Sequence, residues 1–277
     1  MAVPAQADSA LFQPPTQYSG FPGLGHGAVV SGDFNGDGSA DLAVVDFAAG
    51  GVRVLLNRGD GSFAPVAFYP TGAGAVGVTT ADFAGHGHLD LAVANMLDST
   101  VVLLTNQGDG TFTRGATYPT SPIPGRILTA DFNGDGRPDL AVATSAPTDN
   151  VVVLLNQGGG RFVRSQTLTV GIGLNLVGLV ASMETADVNG DHRPDLLVAD
   201  QLRGVVVLLG RGDGTFTRGT TLPIRLFESF AVGDLNHDGI VDVVIPDTLR
   251  NSVAVFLGRG DGTFASPIVS TVNLHPG

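Results

Sequence analysis

An all-β repeat architecture is what the sequence predicts, and three observations predict it. One loop phrase, fullest at Asp131-Phe-Asn-Gly-Asp-Gly-Arg-Pro-Asp139, occurs five times; its first aspartates stand at 33, 82, 131, 187 and 234, at intervals of 49, 49, 56 and 47 residues. A period near 50 residues marks an array of like units. Each unit carries four short runs of β-branched and apolar residues between glycine turns, and no stretch keeps a helical period. Small residues close the first run of every unit (Gly32, Ala81, Ala130, Ala186, Gly233), which suits crowding about a central axis. Four strands per repeat of this length is the pattern of a β-propeller blade, so the expectation is five four-stranded blades. A calcium-dependent parallel β-helix has far shorter repeats and is discounted.

Taken in order, residues 1–10 read as a flexible terminus or the remnant of a secretory leader, and 11–277 as a single propeller domain. Within each unit a first strand leads into the aspartate loop. A hydrophobic second strand follows, as in Asp139-Leu-Ala-Val-Ala, and then a third, as in Val151-Val-Val-Leu-Leu. A Gly-x-Gly turn closed by phenylalanine (Phe63, Phe112, Phe162, Phe216, Phe264) opens a weaker fourth strand. The long fourth crossover, Leu168 to Met183, is apolar and marks a packing or partner contact. The segment Leu11–Tyr18 is a sixth copy of strand 4, and it competes with the C-terminal copy for one place beside the last third strand. A ring closed within one monomeric chain is the expectation, because an open array exposes the apolar faces of its end blades.

Charge narrows the chemistry. The net charge is −12, and the loops at 33, 131, 187 and 234 hold three aspartates each; the other acidic residues balance the 14 arginines. The acidity therefore belongs to the loops, and no basic surplus is left to hold nucleic acid. No apolar run is long enough for a membrane-spanning helix, and cysteine is absent, so thiolate sites and disulfides are excluded.

The loop phrase places oxygen-bearing side chains at alternating positions, as a hard cation such as Ca²⁺ requires of its six to eight oxygen ligands. The ligand sets are Asp33, Asn35, Asp37 and Asp41; Asp131, Asn133, Asp135 and Asp139; Asp187, Asn189, Asp191 and Asp195; Asp234, Asn236, Asp238 and Asp242. Backbone carbonyls of Ser39, Arg137, Arg193 and Ile240 complete them, and about four Ca²⁺ per chain are expected. His192 replaces a turn glycine in the fourth loop and must hold a left-handed conformation at modest cost. In the second loop Ala84 and His86 replace the amide and the carboxylate. His86 and His88 suggest a transition metal, but a degenerate loop held by hydrogen bonds is the favoured reading. An EF-hand fails, since its position 12 is apolar here and its flanks are strands.

By these residues the chain resembles the FG-GAP/VCBS repeat family, the integrin-α-type propellers. The resemblance covers nearly everything from Phe12 onward. It implies that each loop joins strands 1 and 2 of a blade and binds Ca²⁺. Propellers of that family most often have seven blades, whereas five units occur here.

Three turns read Arg-Gly-Asp (Arg58–Asp60, Arg211–Asp213, Arg259–Asp261). The arginine is dispensable between units while the glycines persist, so turn geometry explains them better than adhesion does. Tyr18, Tyr69 and Tyr118 recur six residues after a phenylalanine and are expected at the end opposite the metal loops, as packing residues or as platforms for a ligand. No nucleophile motif or phosphate-cradling loop exists. The function expected is a secreted or cell-surface, Ca²⁺-stabilised, non-catalytic module binding carbohydrate or protein. A polysaccharide-cleaving enzyme and a structural propeller of a larger adhesin are the alternatives.

Overall fold

The computed structural model describes residues 28–64, 67–145, 148, 150–171, 182–200, 202–224, 229–247 and 250–272. The Leu11–Tyr18 segment, Tyr18 and most of the fourth crossover lie outside them. Among the described residues there are twenty strands and no helix, so none could cross a membrane as a helix.

The strands form five antiparallel four-stranded sheets in chain order. Blade 1 holds β1 (Val29–Gly32), β2 (Asp41–Asp46), β3 (Gly51–Leu55) and β4 (Ala67–Pro70). Blade 2 holds β5 (Ala75–Ala81), β6 (Asp90–Asn95), β7 (Thr100–Asn106) and β8 (Phe112–Pro119). Blade 3 holds β9 (Pro124–Ala130), β10 (Asp139–Thr144), β11 (Asn150–Asn156) and β12 (Phe162–Thr169). Blade 4 holds β13 (Met183–Ala186), β14 (Asp195–Asp200), β15 (Gly204–Gly210) and β16 (Phe216–Leu222). Blade 5 holds β17 (Ala231–Gly233), β18 (Asp242–Asp247), β19 (Ser252–Phe256) and β20 (Ile268–Thr271).

Register fixes the loops. In every blade the small residue ending the first strand pairs with the aspartate opening the second: Gly32 with Asp41, Ala81 with Asp90, Ala130 with Asp139, Ala186 with Asp195, Gly233 with Asp242. The crowding expected there is seen at Gly32, where a Cβ would stand 2.6 Å from the Leu89 side chain of the next blade. In blades 2, 3 and 4 the closing phenylalanine opens the fourth strand as expected. In blades 1 and 5, Phe63 and Phe264 make only isolated bridges, to Asn57 and Gly258, before the strand proper. Pro65 and Pro267 follow them in sequence, and proline has no N–H to continue a ladder.

Apolar burial between blades holds the array together. One cluster joins blades 1 and 2 through Phe34, Val52, Leu91 and Phe112; another joins blades 2 and 3; a third runs through blades 3, 4 and 5. Every residue of β6, β10 and β14 is buried, whereas β2 and β18 alternate buried with half-buried positions. The middle sheets are covered on both faces and the end sheets on one.

Among the described residues the last blade is covered less than the others. The C-terminal copy of strand 4 takes the place beside β19, with Val253 opposite Ser270. Each of the first four aspartate loops has its second residue sealed by the following blade: Phe34, Phe83, Phe132 and Val188 are 1–2% exposed. The seal includes backbone bonds from Gly160, Gly214 and Gly262 to the carbonyls of Phe83, Phe132 and Val188, each 3.0 Å. In the fifth loop Leu235, at the same position, is 50% exposed. The apolar face of blade 5, with Val244, Val255 and Ile268 aligned across three strands, is left partly open.

Candidate metal loops and the opposite cleft

The third loop shows how the phrase folds. Asp131 accepts the N–H groups of Gly134 (2.8 Å) and Asp135 (3.1 Å) on Oδ1 and that of Gly136 (2.8 Å) on Oδ2, curling the chain around its own first carboxylate. Gly134 and Gly136 have φ of 74° and 80°, a region that L side chains rarely adopt. Asn133 donates to Asp135 Oδ2 (2.7 Å), and Asp135 Oδ1 accepts the N–H of Arg137 (3.0 Å). The Arg137 guanidinium pairs with Asp135 as well. Asp139 is wholly buried, and each of its oxygens takes one backbone N–H, from Phe132 (3.0 Å) and from Asn156 (2.7 Å).

The first, fourth and fifth loops repeat this lattice. Asp33, Asp187 and Asp234 each gather N–H groups from the residues that follow them. Asn35 and Asn236 donate to Asp37 and Asp238, while the Asn189 side-chain oxygen accepts the Asp191 N–H. Asp41, Asp195 and Asp242 each pin the loop with one oxygen and the end of the third strand with the other. The seventh-position residues Ser39, Arg193 and Ile240 donate their N–H to the fifth-position carboxylate, as Arg137 does. His192 holds the left-handed conformation expected of it (φ 63°), and His237 does the same at the fourth position of its loop.

In the third and fourth loops the buried ninth-position aspartate is short of positive charge. Burial pushes Asp139 up to about 6, against the pull of its two N–H donors, and the charges of Asp135 and Asp131 raise it further. Burial likewise raises Asp195, with Asp191 and Asp187 adding to it. The donor set is carboxylate, amide and backbone oxygen, which is what a hard cation takes. Each carboxylate oxygen that accepts one N–H keeps a second lone pair for a metal.

The second loop keeps the backbone and loses the ligands. Asp82 still gathers Gly85, His86 and Gly87, and buried Asp90 still accepts from Ala84 (2.8 Å) and Asn106 (2.9 Å). The hydrogen-bonded loop expected there is what the structure has.

Tyr69 and Tyr118 pack between blades, the first of the two roles expected of them, though Tyr118 turns toward the metal-loop side rather than the opposite end. Tyr69 and Tyr118 lie edge-on against Phe112 and Phe162 of the following blades, with ring centroids at 5.4 and 5.3 Å. Tyr118 also donates to the Gly160 carbonyl (2.7 Å), in the turn that seals the second aspartate loop, so its hydroxyl points to the metal-loop side. In the Arg-Gly-Asp turns, Asp60, Asp213 and Asp261 accept N–H from Ser62, Thr215 and Thr263 and so serve the turn itself.

At the end of blades 1 and 2 away from the loops lies an open cleft of about 630 Å³, lined by Phe47, Gly50, Thr71, Gly74, Leu97 and Arg114 among others. Leu97 is 65% exposed, and Arg114 is steadied by the Thr71 carbonyl at 2.9 Å. None of these residues stood out in the sequence. The available signal was an apolar side chain in a hairpin connection: Phe47 and Leu97 both occupy the link between second and third strands.

The FG-GAP-like repeat family matches the chain over 33–93, 82–142, 131–198 and 187–245. No curated protein matches it in sequence. Among solved structures, an Agrocybe aegerita lectin with specific recognition of non-reducing terminal N-acetylglucosamine is 25% identical, over 89% of this chain and 66% of its own, with a TM-score of 0.62. A periplasmic gluconolactonase of Pseudomonas aeruginosa is 20% identical over 85% of this chain and 68% of its own, at 0.64. The rhamnogalacturonan lyase YesW is 17% identical over 85% and 49%, at 0.58. The chain thus spans about two thirds of the first two and half of the third.

Proposed function

The chain belongs to the FG-GAP-like repeat family, and from that premise we propose a Ca²⁺-stabilised binding module that takes carbohydrate at the end away from the aspartate loops. Four loops with complete oxygen sets would each hold one Ca²⁺, which supplies the positive charge that Asp139 and Asp195 lack. Binding would draw the carboxylates in and exchange the Asn133–Asp135 hydrogen bond for a shared ligand. We place the module outside the cell or on its surface, where Ca²⁺ is in the millimolar range that weak extracellular sites need.

The observation that carries the carbohydrate reading is the lectin likeness, which covers most of the chain. The cleft adds the right materials: Phe47 and Leu97 for the apolar face of a sugar ring, Arg114 and loop backbone for its hydroxyls. The likenesses to a lactonase and a lyase speak to fold alone, so polysaccharide cleavage stays the second reading. A glycan array with and without Ca²⁺ tests the proposal, with Leu97→Ala as the control on the cleft. The expected result is retention of glycans ending in an amino sugar, weakened by the substitution and lost in chelator. No retention in Ca²⁺, or depolymerisation of a bound polysaccharide, overturns it.

A further inference from the structure

The second loop, which lacks the oxygens for Ca²⁺, brings a different set of atoms together. Among the described residues, Asp82, His86 and Asp90 are the one group of three potential metal-binding side chains whose ligand atoms all lie within 4.8 Å of one another. His86 Nε2 is 3.5 Å from Asp90 Oδ1, and His86 Nδ1 is 3.8 Å from Asp82 Oδ1. A single ion takes only one of the two ring nitrogens, and ligands held at about 2.0–2.2 Å around a tetrahedral Zn²⁺ stand about 3.4 Å apart, so a turn of the His86 ring and a closing of the 4.8 Å set would seat it.

We propose that the second loop is a site for a late first-row divalent cation of the Zn²⁺ type, held by Asp82, His86 and Asp90. Imidazole with two carboxylates suits Zn²⁺, whereas Ca²⁺ wants an all-oxygen shell that Ala84 and His86 no longer supply. The carboxylates are held in place beforehand: N–H donors from Gly85, His86 and Gly87 fix Asp82, and those from Ala84 and Asn106 fix Asp90. Asp90 is fully buried, while the side chains of His86 and Asp82 are 34% and 35% exposed, which gives an ion its entry and leaves the fourth position to water. His88 supports the arrangement. Its ring lies beside that of His86, with centroids at 5.4 Å, in a space that exists because Gly108 has no side chain; a Cβ there would stand 2.7 Å from His88 Nε2. The site is independent of the carbohydrate reading and of the four Ca²⁺ loops.

The test is a Zn²⁺ titration of untagged, metal-stripped protein in millimolar Ca²⁺, with bound zinc counted by mass spectrometry after desalting and Co²⁺ absorption as a second readout. One equivalent of zinc and a Co²⁺ band in the visible are expected. His86→Ala and the better-shaped His86→Gln lose that equivalent and the band, with unchanged circular dichroism. His192→Ala, which removes an exposed imidazole from the fourth loop, keeps both. Absence of zinc from the wild-type protein, or its full retention in both His86 variants, overturns the proposal.

Discussion

The second and third aspartate loops have nearly the same backbone and opposite equipment. In both, a first aspartate gathers three N–H groups, two left-handed glycines turn the chain, and a buried ninth-position aspartate ties the loop to the next strand. Among the side-chain ligand positions they differ at the third and fifth, where Asn133 and Asp135 face Ala84 and His86. Loop shape therefore follows from the first and ninth aspartates with the glycines, and metal chemistry from the two positions between. On the two proposals above, such a loop would change its cation without changing its fold.

Substitution of the ninth aspartate should have the largest effect and cuts this comparison most sharply. Asp139→Ala orphans two buried N–H groups and Asp90→Ala one buried and one half-buried, at about 1–3 kcal/mol per buried group. In chelator the two variants should melt at similar temperatures, well below the wild type. In Ca²⁺ Asp139→Ala should fall further behind, because it also loses a cation. Equal losses in both conditions would show that the third loop is no better a Ca²⁺ site than the second.

A pH series gives the next effect. Asp139 is raised from 3.8 to about 6 in the folded chain, so folding favours its protonated form. That contribution is fully present below pH 3.8 and is lost as pH rises through about 6. Metal-stripped protein should therefore lose stability from this group across that window. With saturating Ca²⁺ the trend should reverse, since the cation needs the carboxylate. Midpoints that ignore Ca²⁺ at every pH would break the assignment.

The smallest effect concerns the seal over the second loop. Asn156 is fully buried and its side chain donates to the Phe83 carbonyl across the blade boundary (2.9 Å), whereas the Asn57 side chain in blade 1 donates to Ala40 in its own blade. Asn156→Ala should destabilise by about 1 kcal/mol or more and Asn57→Ala by less. Equal urea midpoints for the two variants would deny the seal a role.

Much of this was legible in the sequence because it repeats. Five copies at a period near 50 residues displayed the strands, the turns and the loop oxygens side by side, and the blades follow that reading. What depends on distant neighbours did not show. Leu235 occupies the same loop position as Phe34 and Val188, yet its exposure is decided by which blade follows it. The tyrosines carried the spacing signal but not the direction of their rings. The letters of the second loop give its hydrogen-bonded shape but not the placing of the His86 ring between the Asp82 and Asp90 carboxylates.

The central claim is that the complete loops hold Ca²⁺ and that the folded array depends on it. Thermal unfolding of the untagged chain in excess chelator and in millimolar Ca²⁺ tests it most directly. Cations that bind only the folded state add about 2.7 kcal/mol per site at 100-fold saturation, so a midpoint raised by many degrees in Ca²⁺ is predicted. The same midpoint in both conditions would contradict the account.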